Sequence, residues 1–314
     1  MRNPRKHLLL ISLLVMVAAA LAAPFSPASA APSNGLSNGC THTERGLPSC
    51  GAYVGGAYGS NSDVAPWEKS MGKTLGIHRS YYSAAKVDSA VKKATADVAN
   101  HRVPWISFKT PYSWGDMAKG KGDAWAKDIA VRMKAVGGPV WIAIHHEPEG
   151  DGDIQQWKAM QARLAPIMRA AAPNLAYTII LMGYHEFHGD KKYAMSAIWP
   201  NTKIDVAGFD IYEKYGSQGV TTWKDFDNDY FAPIQAWAKS KGVAWGLGET
   251  GFSDKAAAKD PKWMLKTYTS MKAHGGIAWS YFNTTLNSVS NWSLSNATKK
   301  NAFTEINKNA PILK

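Results

Sequence analysis

The sequence predicts a (β/α)8 barrel, an α/β fold in which eight parallel strands alternate with helices. The first observation is that short apolar runs alternate with stretches of helical periodicity after Gly51, because strands that alternate with helices form a parallel sheet. The second is that there are eight such apolar runs. The third is that polar and charged residues directly follow several runs, as they do at the carboxyl ends of barrel strands.

The predicted strands are short and rich in β-branched and aromatic residues. They cover residues 52–55, 76–81, 103–108, 140–144, 177–181, 204–209, 243–247 and 277–282. Helical patterns cover residues 86–100, 123–136, 154–172, 223–241 and 256–274, and a closing helix is predicted over 299–307. The competing fold is a doubly wound open sheet. It is disfavoured because residues 55–59 (GGAYG) lack the G-x-G-x-x-G spacing of a dinucleotide-binding loop.

The first thirty residues have the three parts of a secretory signal peptide. Basic residues precede an apolar run over 8–23, and residues 28–30 (ASA) offer an A-x-A cleavage site. An uncleaved membrane anchor is the alternative, but the run is shorter than the roughly 20 apolar residues that a spanning helix needs. We therefore expect an extracellular protein, cleaved after Ala30, without stable membrane insertion.

Composition narrows the possible partners. The formal net charge of +12 falls to +9 when the three basic residues of the signal peptide are removed, since that segment has no acidic residue. The lysines are scattered and form no basic block, so we expect no nucleic-acid partner. Thirteen tryptophans favour a sugar ligand, because aromatic faces stack on the apolar faces of sugar rings. We expect one catalytic domain over residues 51–314, a monomer and no cofactor.

Cys40 and Cys50 are the only cysteines. Two cysteines so close together in an exported protein predict a disulfide that closes a small loop. Residues 31–47 are rich in Ser, Gly, Asn and Pro, which are typical of loops. Residues 31–50 are therefore predicted to be a flexible leader that ends in the disulfide loop.

The fourth predicted strand ends in the most informative motif, His-His-Glu-Pro-Glu over residues 145–149. Pro148 prevents the strand from continuing inside a sheet. Glu147 ends the strand directly and is the preferred general acid/base. Glu149 remains the alternative for that role.

The seventh predicted strand ends at Glu249, which is flanked by glycines. The fourth and seventh strands of an eight-stranded barrel lie on opposite sides of its mouth, so Glu147 and Glu249 can face each other across a ligand. Cleavage of a glycosidic bond needs a proton donor for the leaving oxygen and a nucleophile or an activated water. The pair therefore predicts a hydrolase that acts on glycosidic bonds.

The order of these motifs resembles clan GH-A of the glycoside hydrolases, and its details resemble family 26, which holds β-mannanases and lichenases. The resemblance implies an endo-acting, retaining enzyme that cleaves β-linked polysaccharide such as β-mannan or β-glucan. It implies that Glu147 is the acid/base and Glu249 the nucleophile. It further implies that His146 contacts sugar, that Tyr212 in Gly-Phe-Asp-Ile-Tyr hydrogen-bonds the nucleophile, and that Trp279 floors the central subsite.

The sequence departs from that family directly after Glu147. The mannanase pattern continues Met-Asn-Gly and then aromatic residues, whereas residues 148–153 here read PEGDGD. Trp157 follows on the next predicted helix and is a further candidate for sugar binding. This acidic loop would change the leaving-group side of the cleft, so the substrate specificity stays open.

Other residues at strand ends are candidates for sugar binding. Arg79 and Tyr81 end the second strand, and His185 lies in a loop after the fifth. No H-E-x-x-H helix exists, so no catalytic metal is expected. Ser107 and Ser280 have no G-x-S-x-G context, so a serine nucleophile is not expected. Two other interpretations stay open: a glycan-binding barrel without catalysis, and a metal-dependent glycan esterase or deacetylase.

Overall fold

The computed structural model describes residues 34–286, 288 and 290–314. Eight parallel strands close into a barrel in sequential order, from β1 to β8 and back to β1, which confirms the predicted (β/α)8 fold. The predicted signal peptide lies outside the described residues. Among the helices that are described, none is long and apolar enough to cross a membrane.

The strands match the eight predicted apolar runs, and several extend further toward their carboxyl ends. They are β1 (Tyr53–Tyr58), β2 (Ile77–Tyr82), β3 (Val103–Phe108), β4 (Val140–Ile144), β5 (Leu175–Leu181), β6 (Val206–Glu213), β7 (Ala244–Phe252) and β8 (Gly276–Asn283).

The helices form the outer layer of the barrel. They are α1 (Ala65–Met71), α2 (Val87–Ala99), α3 (Trp114–Ala118), α4 (Asp123–Lys134), α5 (Ile154–Ala171), α6 (Tyr184–Phe187), α7 (Met195–Ile198), α8 (Ala232–Lys241), α9 (Asp254–Lys259), α10 (Trp263–Ala273) and α11 (Ala297–Lys308). A π-helical turn over Phe226–Phe231 leads into α8.

The strands are apolar on both faces because both faces are buried. One set of side chains fills the barrel interior, where the Trp105 and Trp141 rings meet edge to face with centroids 5.1 Å apart. The alternate set packs outward against the helices in a larger apolar cluster. The interior is therefore a packed core, and a ligand can reach the barrel only at its ends.

The amino end of the barrel is covered by the two ends of the described chain. Leu36 is fully buried and pairs with Leu313, and both belong to the apolar cluster inside the barrel. Cys40 and Cys50 are disulfide-bonded, as predicted. The Trp141 indole donates a hydrogen bond to the Arg45 carbonyl, 2.9 Å away. Residues 34–50 therefore contact the barrel through Leu36 and the Arg45 backbone.

Candidate active site

Glu249 enters the barrel mouth because β7 contains a bulge. In the pairing with β6, Phe209 matches Leu247 but Asp210 matches Glu249, which leaves Gly248 as an extra residue. Leu247 packs in the outer cluster, and strict alternation would send Glu249 the same way. The extra residue reverses that direction and points Glu249 inward beside Asp210. A Cβ on residue 248 would lie 2.6 Å from an Asp210 carboxyl oxygen, so the bulge requires glycine.

Two tyrosine hydroxyls hold the carboxylate of Glu249. Tyr81 donates to Oε1 and Tyr212 donates to Oε2, each over 2.6 Å. Burial, with the nearby charge of Glu249, raises the pKa of both hydroxyls well above the usual value, so both remain donors. The guanidinium of Arg79 is fully buried and lies 3.8 Å from Oε1. This arrangement stabilises and orients the ionised form of Glu249.

The surroundings of the two tyrosines fix their rings. The Arg79 guanidinium lies over the Tyr81 ring at 4.4 Å, and the Tyr81 backbone exchanges two hydrogen bonds with the Asn61 side chain. The Tyr212 ring packs against Trp292, with centroids 4.8 Å apart. Residues from the loops after β1 and β8 therefore position groups that lie on β2 and β6.

Glu147 lies on a loop whose backbone is held in an uncommon conformation. His145 and Glu147 have φ values of 54° and 48°, in the left-handed region that residues other than glycine rarely adopt. Backbone hydrogen bonds maintain it: His145 donates to the Phe108 carbonyl over 2.8 Å and Glu147 to the Ile180 carbonyl over 3.0 Å. Such strain persists only where the surrounding structure imposes it, and it concentrates at functional sites.

The environment of Glu147 favours its protonated form. Burial, together with the charge of Glu249, raises its pKa to about 7. Arg79 and a hydrogen bond from Asp210 act in the opposite direction. A carboxyl group with this pKa can give up and take back a proton near neutral pH. The surroundings of the two glutamates therefore differ: Glu249 accepts two tyrosine hydrogen bonds, whereas burial raises the pKa of Glu147.

Asp210 also belongs to the site, although no role was predicted for it from the sequence. It lies on β6 two residues before Tyr212, so the two side chains share the inner face. Burial, with the charges of Glu249 and Glu147, raises its pKa well above the usual value. A protonated Asp210 donates to Glu147. The alternation of strand residues could have identified it, since Asp210 and Tyr212 lie on one face.

His146 also lies at the mouth of the barrel. Its ring packs against the Tyr81 ring, with centroids 5.4 Å apart. Burial, reinforced by Arg79, lowers its pKa well below the usual value, so the imidazole is neutral. A neutral ring can both donate and accept a hydrogen bond, which suits sugar hydroxyls.

Trp279 is the clearest correction to the predicted site. It is fully buried in the outer cluster, where its ring meets the rings of Trp263 and Tyr268 on α10. It therefore cannot floor a sugar subsite. The aromatic residue of β8 at the mouth is Phe282, three residues later, with its ring 6.4 Å from that of Tyr81 and 6.2 Å from that of Tyr212. An odd offset on a strand changes the face, which the motif alone did not reveal.

Trp157 and His185 lie outside the group of residues around Glu249. Trp157 is only 1% exposed, and its indole donates to the His145 carbonyl over 3.0 Å. It supports the loop that carries Glu147 and does not line the cleft. His185 lies on α6, where its ring packs edge-on against Tyr184 and Tyr193.

No group of three or more His, Cys, Asp or Glu side chains is arranged to hold a metal ion within the described ranges. His145 instead contacts Asp151 at 2.8 Å and accepts a hydrogen bond from the Trp114 indole. His188 lies 2.6 Å from the Asp229 carbonyl. His145 and His188 therefore have other partners.

A closed (β/α)8 barrel with carboxyl groups at the ends of its fourth and seventh strands is the arrangement expected of a glycoside hydrolase. The family model for cellulase, glycosyl hydrolase family 5, matches residues 67–297, and the chain belongs to that family. The resemblance to clan GH-A is confirmed, and the matching family model is that of family 5. The family favours a glycosidase over the two alternatives, a binding protein and an esterase.

Solved structures share the fold at low sequence identity. A family 26 β-mannanase from Bacteroides ovatus is 13% identical, with a TM-score of 0.57 over 82% of this chain and 88% of that one. Thermotoga maritima Cel5A, in complex with mannotriose, is 13% identical, with a TM-score of 0.57 over 81% and 96%. The cellulose synthase subunit Z of Clostridioides difficile is 14% identical, with a TM-score of 0.57 over 82% and 99%. Comparison with curated protein sequences found no match.

Proposed function

We propose that this protein is a secreted, retaining glycoside hydrolase that cleaves β-linked polysaccharide, with Glu249 as nucleophile and Glu147 as general acid/base. The observation that carries the proposal is the contrast between the two carboxyl groups. Glu249 accepts hydrogen bonds from two tyrosine hydroxyls and lies beside the buried Arg79 guanidinium, whereas burial and the charge of Glu249 raise the pKa of Glu147 to about 7.

In the first step, a carboxylate oxygen of Glu249 attacks the anomeric carbon. The bond from that carbon to the leaving oxygen breaks, and Glu147 gives its proton to the departing sugar. In the second step, Glu147 takes a proton from water, and the water oxygen displaces Glu249 from the glycosyl ester. The product then has the configuration of the substrate, and both carboxyl groups return to their starting states.

Two observations support β-mannan or β-glucan as the substrate class. Among solved structures with this fold are family 26 β-mannanases, and Thermotoga maritima Cel5A has been crystallised with mannotriose and with cellobiose. At the mouth, the Phe282 ring lies beside both tyrosines of the Glu249 site and can stack on a sugar ring. The series of oligosaccharides released will show whether the enzyme is endo-acting.

Secretion is supported by the signal-like pattern of residues 1–30 and by the disulfide between Cys40 and Cys50, which is typical of exported proteins. We expect a monomer, because one chain supplies every residue of the site. Expression of the full chain with recovery from the medium, followed by mass measurement, would test cleavage after Ala30. Light scattering of the product would test the monomer.

The first experiment is a product assay on the chain from Ala31 to Lys314. Wild type and Glu249→Ala are incubated with β-mannan, mixed-linkage β-glucan, xylan and arabinan, and the released oligosaccharides are resolved. We expect release from β-mannan or β-glucan, with a loss of at least about 10³-fold in Glu249→Ala, because no other group replaces the nucleophile. Equal release by the variant would contradict the assignment of Glu249.

The roles of the two glutamates can be separated with azide and a dinitrophenyl β-glycoside. Azide should rescue Glu249→Ala by attacking the open face, which gives the α-glycosyl azide. It should rescue Glu147→Ala by attacking the covalent intermediate, which gives the β-glycosyl azide. Products of the opposite configuration would exchange the two roles, and an inverted product from wild type would rule out double displacement.

A further inference from the structure

Each acidic residue of the loop after β4 has a specific partner. Asp153 caps α5, accepting from the Gln155 amide over 2.9 Å. Asp151 lies 2.8 Å from His145 and 3.3 Å from Lys109. Glu149 points the other way, and its Oε1 accepts from the Met182 amide, over 3.1 Å, in the loop after β5. Hydrogen bonds and ion pairs therefore hold the loop at three points. Glu149 connects it to the loop after β5.

Glu149 meets a second carboxyl group there. Glu186, on α6, is only 5% exposed, and its carboxyl group interacts with that of Glu149. Glu149 Oε2 and both oxygens of Glu186 are buried and have no hydrogen-bond donor among the described residues. Two buried carboxylates in contact would repel each other, and three of their four oxygens would lack a donor among the described residues. One proton on Glu149 Oε2 removes the repulsion and supplies a donor.

The groups around the pair also favour a proton on Glu149. Glu147 on the same loop and Asp210 on β6 are further carboxyl groups that interact electrostatically with the pair, as does Tyr230 of the π-helical turn with Glu186. Burial and the hydrogen bond with Glu186 raise the pKa of Glu149 to about 9. The Gly150 amide also donates to the Tyr193 hydroxyl, over 2.9 Å, so the two loops have a second link beside Glu149.

We infer that Glu149 carries a proton and donates a hydrogen bond to the carboxylate of Glu186. This carboxyl pair connects the loop that carries Glu147 to the loop after β5. The inference rests on the proposed function for the role of Glu147. It assigns Glu149 to positioning and not to proton transfer with the substrate. It also gives a reason for the acidic residue two positions after Glu147, because Glu149 faces the protein interior.

Protonation can be tested without a substrate by thermal unfolding of wild type and Glu149→Gln between pH 5 and pH 9. In the folded protein Glu149 keeps a proton that the unfolded chain releases above its ordinary pKa of 4.5. The stability of wild type therefore falls with pH over this window, and that contribution is absent in the glutamine variant. We expect the Tm of Glu149→Gln, relative to wild type, to rise steadily toward pH 9.

Glu305→Gln is the matched control, because Glu305 is exposed on α11. Its Tm difference from wild type should stay constant with pH. A constant difference for Glu149→Gln as well would overturn the protonation of Glu149. This result does not depend on whether any glycan is cleaved, so its failure is distinct from failure of the proposed function.

The fastening of the loop is tested by kinetics on the substrate found in the product assay. Glutamine can donate to Glu186 and accept from Met182, so Glu149→Gln should keep kcat within about threefold of wild type at pH 6. Glu149→Ala loses both bonds, and we expect its kcat to fall at least tenfold with little change in KM, since Glu147 is misplaced. Equal kcat values for the two variants would overturn the positioning role.

Discussion

The two ends of the barrel differ in their packing and in the chemistry of their buried groups. At the amino end, Leu36 and Leu313 complete the apolar core, and the indole of Trp141 donates a hydrogen bond to the Arg45 carbonyl. At the carboxyl end, Glu147 adopts a left-handed backbone, and Asp210 has no hydrogen-bond donor for either oxygen among the described residues. The amino end therefore contributes apolar packing to the fold, while the carboxyl end holds buried carboxyl groups on a backbone of uncommon conformation.

Ion pairs follow the same division. Near the amino end, Asp205 accepts two hydrogen bonds from Arg169 and one from the Tyr177 amide. Near the carboxyl end, Arg79 is the buried cation beside Glu249, and burial with the neighbouring carboxyl groups raises the pKa of both Glu147 and Asp210. Substitutions at the carboxyl end should therefore affect catalysis more than stability, with the reverse at the amino end.

Glu147→Gln should give the largest effect in this comparison. We expect turnover of polysaccharide to fall by about 10²–10⁴, because positioned proton transfer has that value. The loss should be smallest for dinitrophenyl glycosides, whose leaving group needs no proton. Steady-state kinetics on both substrates will measure it.

The pH profile sharpens this test. Glu147 must be protonated in the free enzyme, so kcat/KM of wild type should decline as the pH rises through about 7. The glutamine variant should lack that alkaline limb. If the limb persisted in the variant, another group would be responsible for it.

Removing one tyrosine hydroxyl from Glu249 should have an intermediate effect. A hydrogen bond to a charged group contributes about 1.5–3 kcal/mol, so Tyr212→Phe and Tyr81→Phe should each lower kcat by about 10- to 150-fold. Tyr177→Phe is the matched control, since its buried hydroxyl donates to Gln161 over 2.6 Å, away from the site. The control should lower Tm and leave kcat unchanged, and a comparable loss of kcat there would refute the local explanation.

Leu36→Ala tests the amino end and should have the smallest effect on catalysis. Loss of a fully buried leucine costs about 2–5 kcal/mol of the free energy of unfolding, because it leaves a cavity in the core. We expect a lower midpoint in denaturant unfolding and the kcat of wild type at 25 °C. A fall in kcat without a change in stability would show that the two ends are coupled.

The sequence determined the fold and the carboxyl pair. Apolar runs alternating with helical patterns were enough to predict the barrel, because burial on both faces requires strands of this composition. Glu147 and Glu249 could be identified because charged residues directly follow such strands. Arg79 and Tyr81 were identified by their positions at the end of a predicted strand, whereas His146 and Tyr212 were identified from the resemblance to glycoside hydrolase family 26.

Only the tertiary structure decided which way side chains point. The bulge at Gly248 turns Glu249 inward. Trp279 faces the helices, and Phe282 lies at the mouth, where Trp279 had been predicted. The contact of Glu149 with Glu186 joins two loops separated by a helix and a strand, and no local pattern encodes it. Residues that meet across a barrel are distant in sequence, so their pKa values and hydrogen bonds arise only when the chain closes.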